Sequence, residues 1–170
     1  MPNHREILKV GLAVTDTDRL LVVRKKGTSS YILPGGKPEN GEDDLQALAR
    51  EIEEELGCQL NPATIVFLGC FSDAAADMVN TTVTVRLYTA QLVGDPSPQS
   101  EIENLKWFCP NAESCSSLAP SLQNHIVPFL FSQGRLRESP SADRSAKELN
   151  RSRSSKIVRD RFERPGSTLR

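Results

Sequence analysis

The chain has 170 residues, enough for one domain with a sizeable core and a tail. Its formal net charge of -1 hides two unlike parts. Residues 1–133 carry 10 Lys+Arg against 17 Asp+Glu, and residues 134–170 carry 11 against 5. No apolar run approaches the ~18 residues of a membrane span, and no signal peptide is recognisable. We therefore expect a cytoplasmic protein with no membrane partner.

Cysteine and histidine are too sparse for the common zinc sites. The four cysteines form no CxxC pair, and there are two histidines. The known zinc-ligand spacings are therefore excluded. We expect reduced thiols that act as small buried residues or surface bystanders.

Apolar and β-branched runs predict strands over 7–15, 19–24, 31–33, 65–71, 81–92 and 105–109. The first two flank Asp16-Thr17-Asp18, which is typical of a turn, so we expect them to form a hairpin. Residues 72–80 have no period and are predicted as a loop.

An amphipathic helix of about four turns is predicted between the third and fourth strands. Asn40 is its predicted N-cap, and Gly57 its predicted stop. A second helix is expected over 118–131, with Pro120 in its first turn and Pro128 as the cause of a kink. The apolar stripe predicted for the first helix is Leu45, Leu48, Ala49, Ile52 and Leu56.

Three acids share one flank of the first helix. At about 100° per residue, Glu51, Glu54 and Glu55 lie beside the apolar stripe, and Glu53 lies on the other side. Their mutual repulsion is offset only in part by Arg50, which can pair with Glu54. One interpretation is a solvated acidic face. The other is a site for a hard divalent cation, which takes carboxylate, phosphate and water oxygens.

The order of residues around this helix resembles the signature of the Nudix hydrolases, GX5EX7REUXEEXGU, in which U is a bulky aliphatic residue. The last U is Cys58 here, a small hydrophobe that can fill the same place. The other specified positions all match: Gly36, Glu42, Arg50, Glu51, Ile52, Glu54, Glu55 and Gly57.

The resemblance implies an α/β/α sandwich with a mixed β-sheet and a loop–helix–loop catalytic motif. It implies Mg²⁺, or Mn²⁺ in its place, bound by the Gly36 carbonyl and by Glu51, Glu54 and Glu55. Glu51 is also our preferred base for the attacking water. Arg50 would orient Glu54 or Glu51, which makes these three the catalytic residues of the motif. Glu42 would be an outer ligand, acting through water.

For the charged residues outside the motif, two interpretations stay open: a role in the site, or a side chain that is simply solvated. Lys37 could meet a phosphate. Glu101 and Glu103 precede the last strand, where many Nudix proteins carry an acid, and we prefer Glu101 as a further catalytic residue. The candidates for reading the base or sugar are Tyr31, Phe71, Asp73, Asn80 and Arg86.

The implied activity is hydrolysis of a phosphoanhydride bond in a nucleoside diphosphate linked to another group. The short core and the Pro34-Gly35-Gly36 turn look most like MutT-like members, which cleave nucleoside triphosphates, oxidised ones included, to monophosphate and pyrophosphate. A nucleotide-sugar or ADP-ribose hydrolase is one alternative, and a non-catalytic nucleotide-binding module is another. A homodimer is left open.

The Arg- and Ser-rich tail, residues 134–170, is predicted to be disordered or partly helical, because it has little apolar surface to bury. An amphipathic helix around 147–162 is a second interpretation. Binding of nucleic acid by charge is a third, and we favour it less.

Overall fold

The computed structural model describes residues 4–138. Two three-stranded sheets make up most of it. The strands are β1 (Arg5–Leu12), β2 (Thr15–Asp16), β3 (Arg19–Lys25), β4 (Gln59–Leu60), β5 (Val66–Ala74), β6 (Thr81–Thr89), β7 (Leu92–Val93) and β8 (Ile102–Phe108). The α-helices are α1 (Asp44–Leu56) and α2 (Val127–Ser132), and short 3-10 turns occupy Pro62–Thr64 and Cys115–Ser117.

The first sheet has the order β1-β6-β5, with β1 parallel to β6 and β5 antiparallel to it. The second sheet, β2-β3-β8, is antiparallel. Parallel and antiparallel pairs therefore coexist with helices, and the predicted α/β class with mixed strand pairing is confirmed. β4 and β7 form a separate two-stranded ribbon.

The predicted hairpin of the first two strands is wrong for most of its length. Only Thr15 and Asp16 pair with β3, while β1 pairs with β6 in the other sheet. The chain turns after Leu12, and β1 is buried at Ile7 and over 10–12 while its start is exposed. The strand predicted at 31–33 is reduced to single bridges, Ile32 to Val23 and Tyr31 to Leu118.

Helix α1 begins later than predicted. Asp43, not Asn40, is the N-cap. Its carboxylate accepts a hydrogen bond from the Gln46 N–H, and the Gln46 side-chain oxygen accepts one from the Asp43 N–H. The stripe shifts accordingly: Leu45 and Ala49 are exposed, and Ala47 is buried. Gly57 ends the helix in the left-handed conformation, as predicted.

The second helical segment starts at Pro120, as expected for a first-turn proline. A π-helical turn over Leu122–Ile126 precedes α2, and the Val127 N–H donates to Leu122 O. This irregularity lies directly before Pro128, which has no N–H to donate.

Two apolar clusters form the core. One lies under α1, and includes Val10, Leu21, Leu48 and Ile52. The other lies between the sheets and the C-terminal helical segment, and includes Val22, Val83, Leu122 and Leu130. α1 is therefore fixed on one side of the sheets, with its acidic flank at the edge of the packed layer.

The folded unit continues to Arg137, a few residues past the predicted start of the tail at residue 134. Leu136 is 2% exposed, and the Arg137 N–H donates to Thr17 O at 3.0 Å. The predictions for the rest of the tail, including a helix around 147–162, lie outside the described residues. No helix within residues 4–138 is long and apolar enough to cross a membrane.

Candidate active site

The loop before α1 is tied to β1 by its backbone. The Val10 N–H donates to Gly36 O, and the Leu12 N–H donates to Pro34 O, both at 2.9 Å. A side chain at Gly35 would strike Val10 O, and the φ of Gly35 is +134°. A side chain at Gly36 would strike the Glu51 carboxylate. Gly35 is therefore needed for the loop to lie against β1, and Gly36 leaves room for the Glu51 carboxylate.

Arg50 is the hub of an ion-pair network on the solvent side of the loop. Its Nε and Nη2 donate to the two oxygens of Glu42 at 2.7 and 2.9 Å. Its Nη1 donates to Glu51 at 3.0 Å and reaches Glu54 at 3.4 Å. Nη2 also donates to Lys37 O at 3.2 Å. The guanidinium thus joins three of the motif's acids to the loop.

Glu42 is held by Arg50 through both oxygens, instead of standing free as an outer ligand. The hydrogen bonds from Arg50 lower the pKa of Glu42 to about 2, assisted by the Glu39 N–H. The same contacts raise the pKa of Arg50. This pair stays ionised at any ordinary pH, and its role in the structure is to orient Arg50.

Glu55 is the buried acid of the site, with 1% of the residue exposed. Its Oε2 accepts from the Gly35 N–H at 2.9 Å. Among residues 4–138, its buried Oε1 has no hydrogen-bond partner, although Lys25 Nζ lies 3.3 Å away. Burial raises the pKa of Glu55 to about 7, against the opposing effects of Gly35 and Lys25.

Lys25, the last residue of β3, lies between Glu55 and Glu101. Its ammonium donates to Glu101 Oε1. Burial opposes its charge, but the hydrogen bond to Glu101 and the charge of Glu55 outweigh it, so the pKa of Lys25 is raised. The same hydrogen bond lowers the pKa of Glu101. Glu101 is thus joined to the motif through Lys25, whereas Glu103 pairs with Arg24 at 3.0 Å.

The acids fit a hard divalent cation in their chemistry. All the donors are oxygens, as Mg²⁺ prefers, and Glu55 Oε1 is a buried oxygen that lacks a hydrogen bond. Glu51 lies against the Gly36 backbone, and the Glu54 side chain is 55% exposed. No trio of acid, histidine or cysteine side chains in residues 4–138 is arranged as a finished cage. Arg50 and Lys25 hold the carboxylates instead, so their rotation toward a shared ion is required.

A cavity of about 620 Å³ opens beside Glu51. Its charged end contains Lys9, Lys25 and Lys37 near Gly36. Its floor and far wall are aliphatic, and Asp77 and Met78 lie at its rim. The apolar lining residues of the floor and wall include Ile7, Val83, Val85, Leu122 and Ile126. Such a cavity is the size of a small-molecule site, with one polar and one apolar end.

Lys9 was missed by the sequence analysis. Burial lowers the pKa of Lys9, the charges of Lys25 and Lys37 lower it further, and the charges of Glu55 and Glu51 oppose the shift. The signal was present in β1, where Ile7, Lys9 and Gly11 alternate onto one face. The apolar residues on both sides of Lys9 hide this alternation, because together they favour a strand that is buried on both faces.

The residues predicted to read the base or sugar do not line the cavity. Tyr31 donates to Asn104 at 3.0 Å, and Phe71 packs on Phe129 with ring centroids 5.0 Å apart. Asp73 accepts from Asn124 at 2.8 Å. The other two candidates, Asn80 and Arg86, contact Arg5 and Asp44 respectively. Asp77 and Met78 line the cavity instead, and the role of the five candidates in recognising the base or sugar stays a prediction.

The family model of the NUDIX domain matches residues 6–130. The chain belongs to the Nudix family. It is 29% identical over 119 residues to the uncharacterised Nudix hydrolase YvcI of Bacillus subtilis, covering 67% of this chain and 72% of that one.

Solved structures agree with this Nudix assignment. A MutT NUDIX hydrolase from Burkholderia pseudomallei superposes with a TM-score of 0.60 at 26% identity, over 76% of this chain and 98% of that one. A NUDIX hydrolase from Nitrosomonas europaea gives 0.63 at 22%, over 78% and 93%. The predicted family and hydrolase class are confirmed. Nudix enzymes act on phosphoanhydride bonds of nucleoside diphosphate-linked compounds and generally use divalent cations.

Proposed function

We propose that this Nudix protein is a Mg²⁺-dependent pyrophosphohydrolase that converts a nucleoside triphosphate to its monophosphate and pyrophosphate. One observation carries the proposal: three lysines and Glu51 of α1 line a cavity whose remaining lining is largely aliphatic. A polyphosphate suits the charged end, and a nucleobase suits the apolar end.

The residues of the motif would divide the work as follows. Glu51, Glu54, Glu55 and the Gly36 carbonyl would hold Mg²⁺, with Mn²⁺ as a substitute. The bound ion would neutralise the phosphates and polarise the reacting phosphoryl group. Arg50 is a positioning residue, because its contacts are to Glu42, Glu51 and Glu54.

Glu51 is the proposed general base. It is the α1 acid that lines the cavity, and Arg50 holds its carboxylate in place. It would accept a proton as the water oxygen bonds to one phosphorus and the bridging P–O bond breaks, with the electron pair leaving on pyrophosphate. Glu101 is the weaker candidate, since its hydrogen bond from Lys25 lowers its pKa and its proton affinity.

The test is phosphate release from a nucleotide panel with Mg²⁺, coupled separately to pyrophosphatase and to phosphatase. The panel includes triphosphates, oxidised triphosphates, nucleotide sugars and ADP-ribose. Release from triphosphates that requires pyrophosphatase supports the proposal. Release that requires phosphatase, from the diphosphate-linked compounds, replaces it with the nucleotide-sugar or ADP-ribose alternative. No release, with nucleotide still bound, indicates a binding module.

A further inference from the structure

Lys9 belongs to the charged end of the cavity and also lies beside aliphatic residues of β1 and β6. Strand β1 turns Ile7, Lys9 and Gly11 to the cavity, and the parallel pairing with β6 sets Ile7 beside Val83 and Lys9 beside Val85. An ammonium among aliphatic side chains loses much of its hydration, so its presence there requires a compensating anion.

No carboxylate of residues 4–138 contacts Lys9 directly, although the charges of Glu55 and Glu51 act on it from a distance. Within residues 4–138, Lys9 has no ion pair or side-chain hydrogen bond, in contrast to Lys25, which contacts both Glu55 and Glu101. The half-buried Lys9 side chain keeps its ammonium in the cavity, where a ligand can reach it.

The position of Lys9 narrows the choice of ligand group. Val10, the next residue, binds Gly36 O through its N–H, and Gly36 lies against Glu51. Lys9 therefore stands where the charged end of the cavity meets the aliphatic floor. A nucleotide with its phosphate chain at Glu51 and its base on Val83 would bring the phosphate nearest the nucleoside to this junction.

We infer that Lys9 binds the α-phosphate of the nucleotide. The inference rests on the proposed function for the orientation of the ligand. The α-phosphate is shared by every nucleotide substrate and stays on the monophosphate product. Lys9 would thus set the preference for nucleotide over nucleoside, and would not select the leaving group.

The experiment compares monophosphates with their nucleosides in EDTA, by calorimetric titration of the full chain. The probes are AMP, GMP, CMP and UMP, with adenosine, guanosine, cytidine and uridine. For the base that binds most tightly, wild type should prefer the monophosphate by at least ~10-fold, the scale of a hydrogen bond to a charged group. In Lys9→Met that preference should fall to near 1, with nucleoside affinity unchanged. Lys9→Arg should retain it.

Arg5→Met is the matched control, because it removes one positive charge from the exposed start of the same strand. It should leave the preference intact. Loss of nucleoside and monophosphate affinity in equal proportion would overturn the inference and make Lys9 a wall of the base pocket. An unchanged preference in Lys9→Met, or no monophosphate binding by wild type, would also overturn it. If Lys9→Met melts early, Lys9→Gln takes its place.

Failure of this inference can be told apart from failure of the proposed function. Triphosphate hydrolysis with an unchanged preference in Lys9→Met defeats the inference alone. A silent nucleotide panel with a Lys9-dependent preference defeats the proposed activity and leaves the phosphate site standing.

Discussion

Two ion-pair networks hold the acids of α1, and they differ in whether every buried carboxylate oxygen has a hydrogen bond. The Arg50 network is partly exposed, and the carboxylates of Glu42, Glu51 and Glu54 all contact the guanidinium. The Lys25 network reaches into the buried layer, where Glu55 keeps one oxygen without a hydrogen bond. The first network is suited to orienting side chains. The second leaves one buried carboxylate oxygen without a hydrogen bond, and a divalent cation would supply the missing contact.

The largest expected effect is on turnover, at Glu51 of the Arg50 network. Glu51→Gln should lower kcat by ~10²–10⁴-fold, the usual contribution of a general base. Glu53→Gln is the matched control, since Glu53 lies on the exposed side of the same helix, and its kcat should stay within about 2-fold of wild type. Equal losses in both variants would show that helix charge, and not position, determines activity.

Ionisation of Glu55 in the Lys25 network should make the unfolding free energy of the metal-free protein depend on pH. Glu55 has a folded pKa of about 7 against a reference value of 4.5. The raised pKa stabilises the fold while Glu55 is protonated, and this contribution is lost as pH rises from 4.5 through 7.

Glu55→Gln stays neutral throughout, so wild type should lose up to ~3 kcal/mol of unfolding free energy relative to it between pH 4.5 and 8. Urea unfolding in EDTA at several pH values measures the difference. Parallel pH profiles for the two proteins would mean that Glu55 ionises without cost.

The Arg50 network should fail differently when it is disturbed. Arg50→Lys keeps the charge but loses the two-point contact with Glu42, so it should lower kcat by ~10–100-fold with little change in KM. Steady-state kinetics on the best triphosphate checks this. A rise in KM at constant kcat would instead make Arg50 a substrate contact.

The smallest expected effect separates two acids that lie two residues apart in sequence but form different ion pairs. Glu101→Gln weakens the grip on Lys25 and should lower kcat only a few-fold, because Glu101 is exposed. Glu103→Gln disturbs only the pair with Arg24 and should leave kcat unchanged. A loss of ~100-fold in the kcat of Glu101→Gln would indicate that Glu101, and not Glu51, is the general base.

The motif helix and the family were readable from the sequence because they depend on local spacing. Gly57, Ile52 and the three acids lie where helical geometry requires. The strand partners were not readable in this way. Alternation shows which face of β1 is buried, but it does not reveal that β1 pairs with β6, 76 residues further along the chain.

The cavity-lining part of residues 72–80 was not readable from the sequence for a similar reason. Which residues of 72–80 face the cavity depends on left-handed backbone at Asp77 and Asn80, with φ of 58° and 49°. The contact between Asp77 and Ser29 then holds that loop beside the cavity. Long-range contacts of this kind leave no periodic trace in the sequence.

The central claim is that a divalent cation binds the buried Glu55 Oε1, which has no hydrogen bond within residues 4–138. Thermal melting at pH 8, with and without Mn²⁺, in wild type and Glu55→Gln tests it most directly. We predict that Mn²⁺ raises the Tm of wild type by several degrees and shifts that of Glu55→Gln far less. An equal rise in both proteins would contradict the account, because the ion would then bind without Glu55.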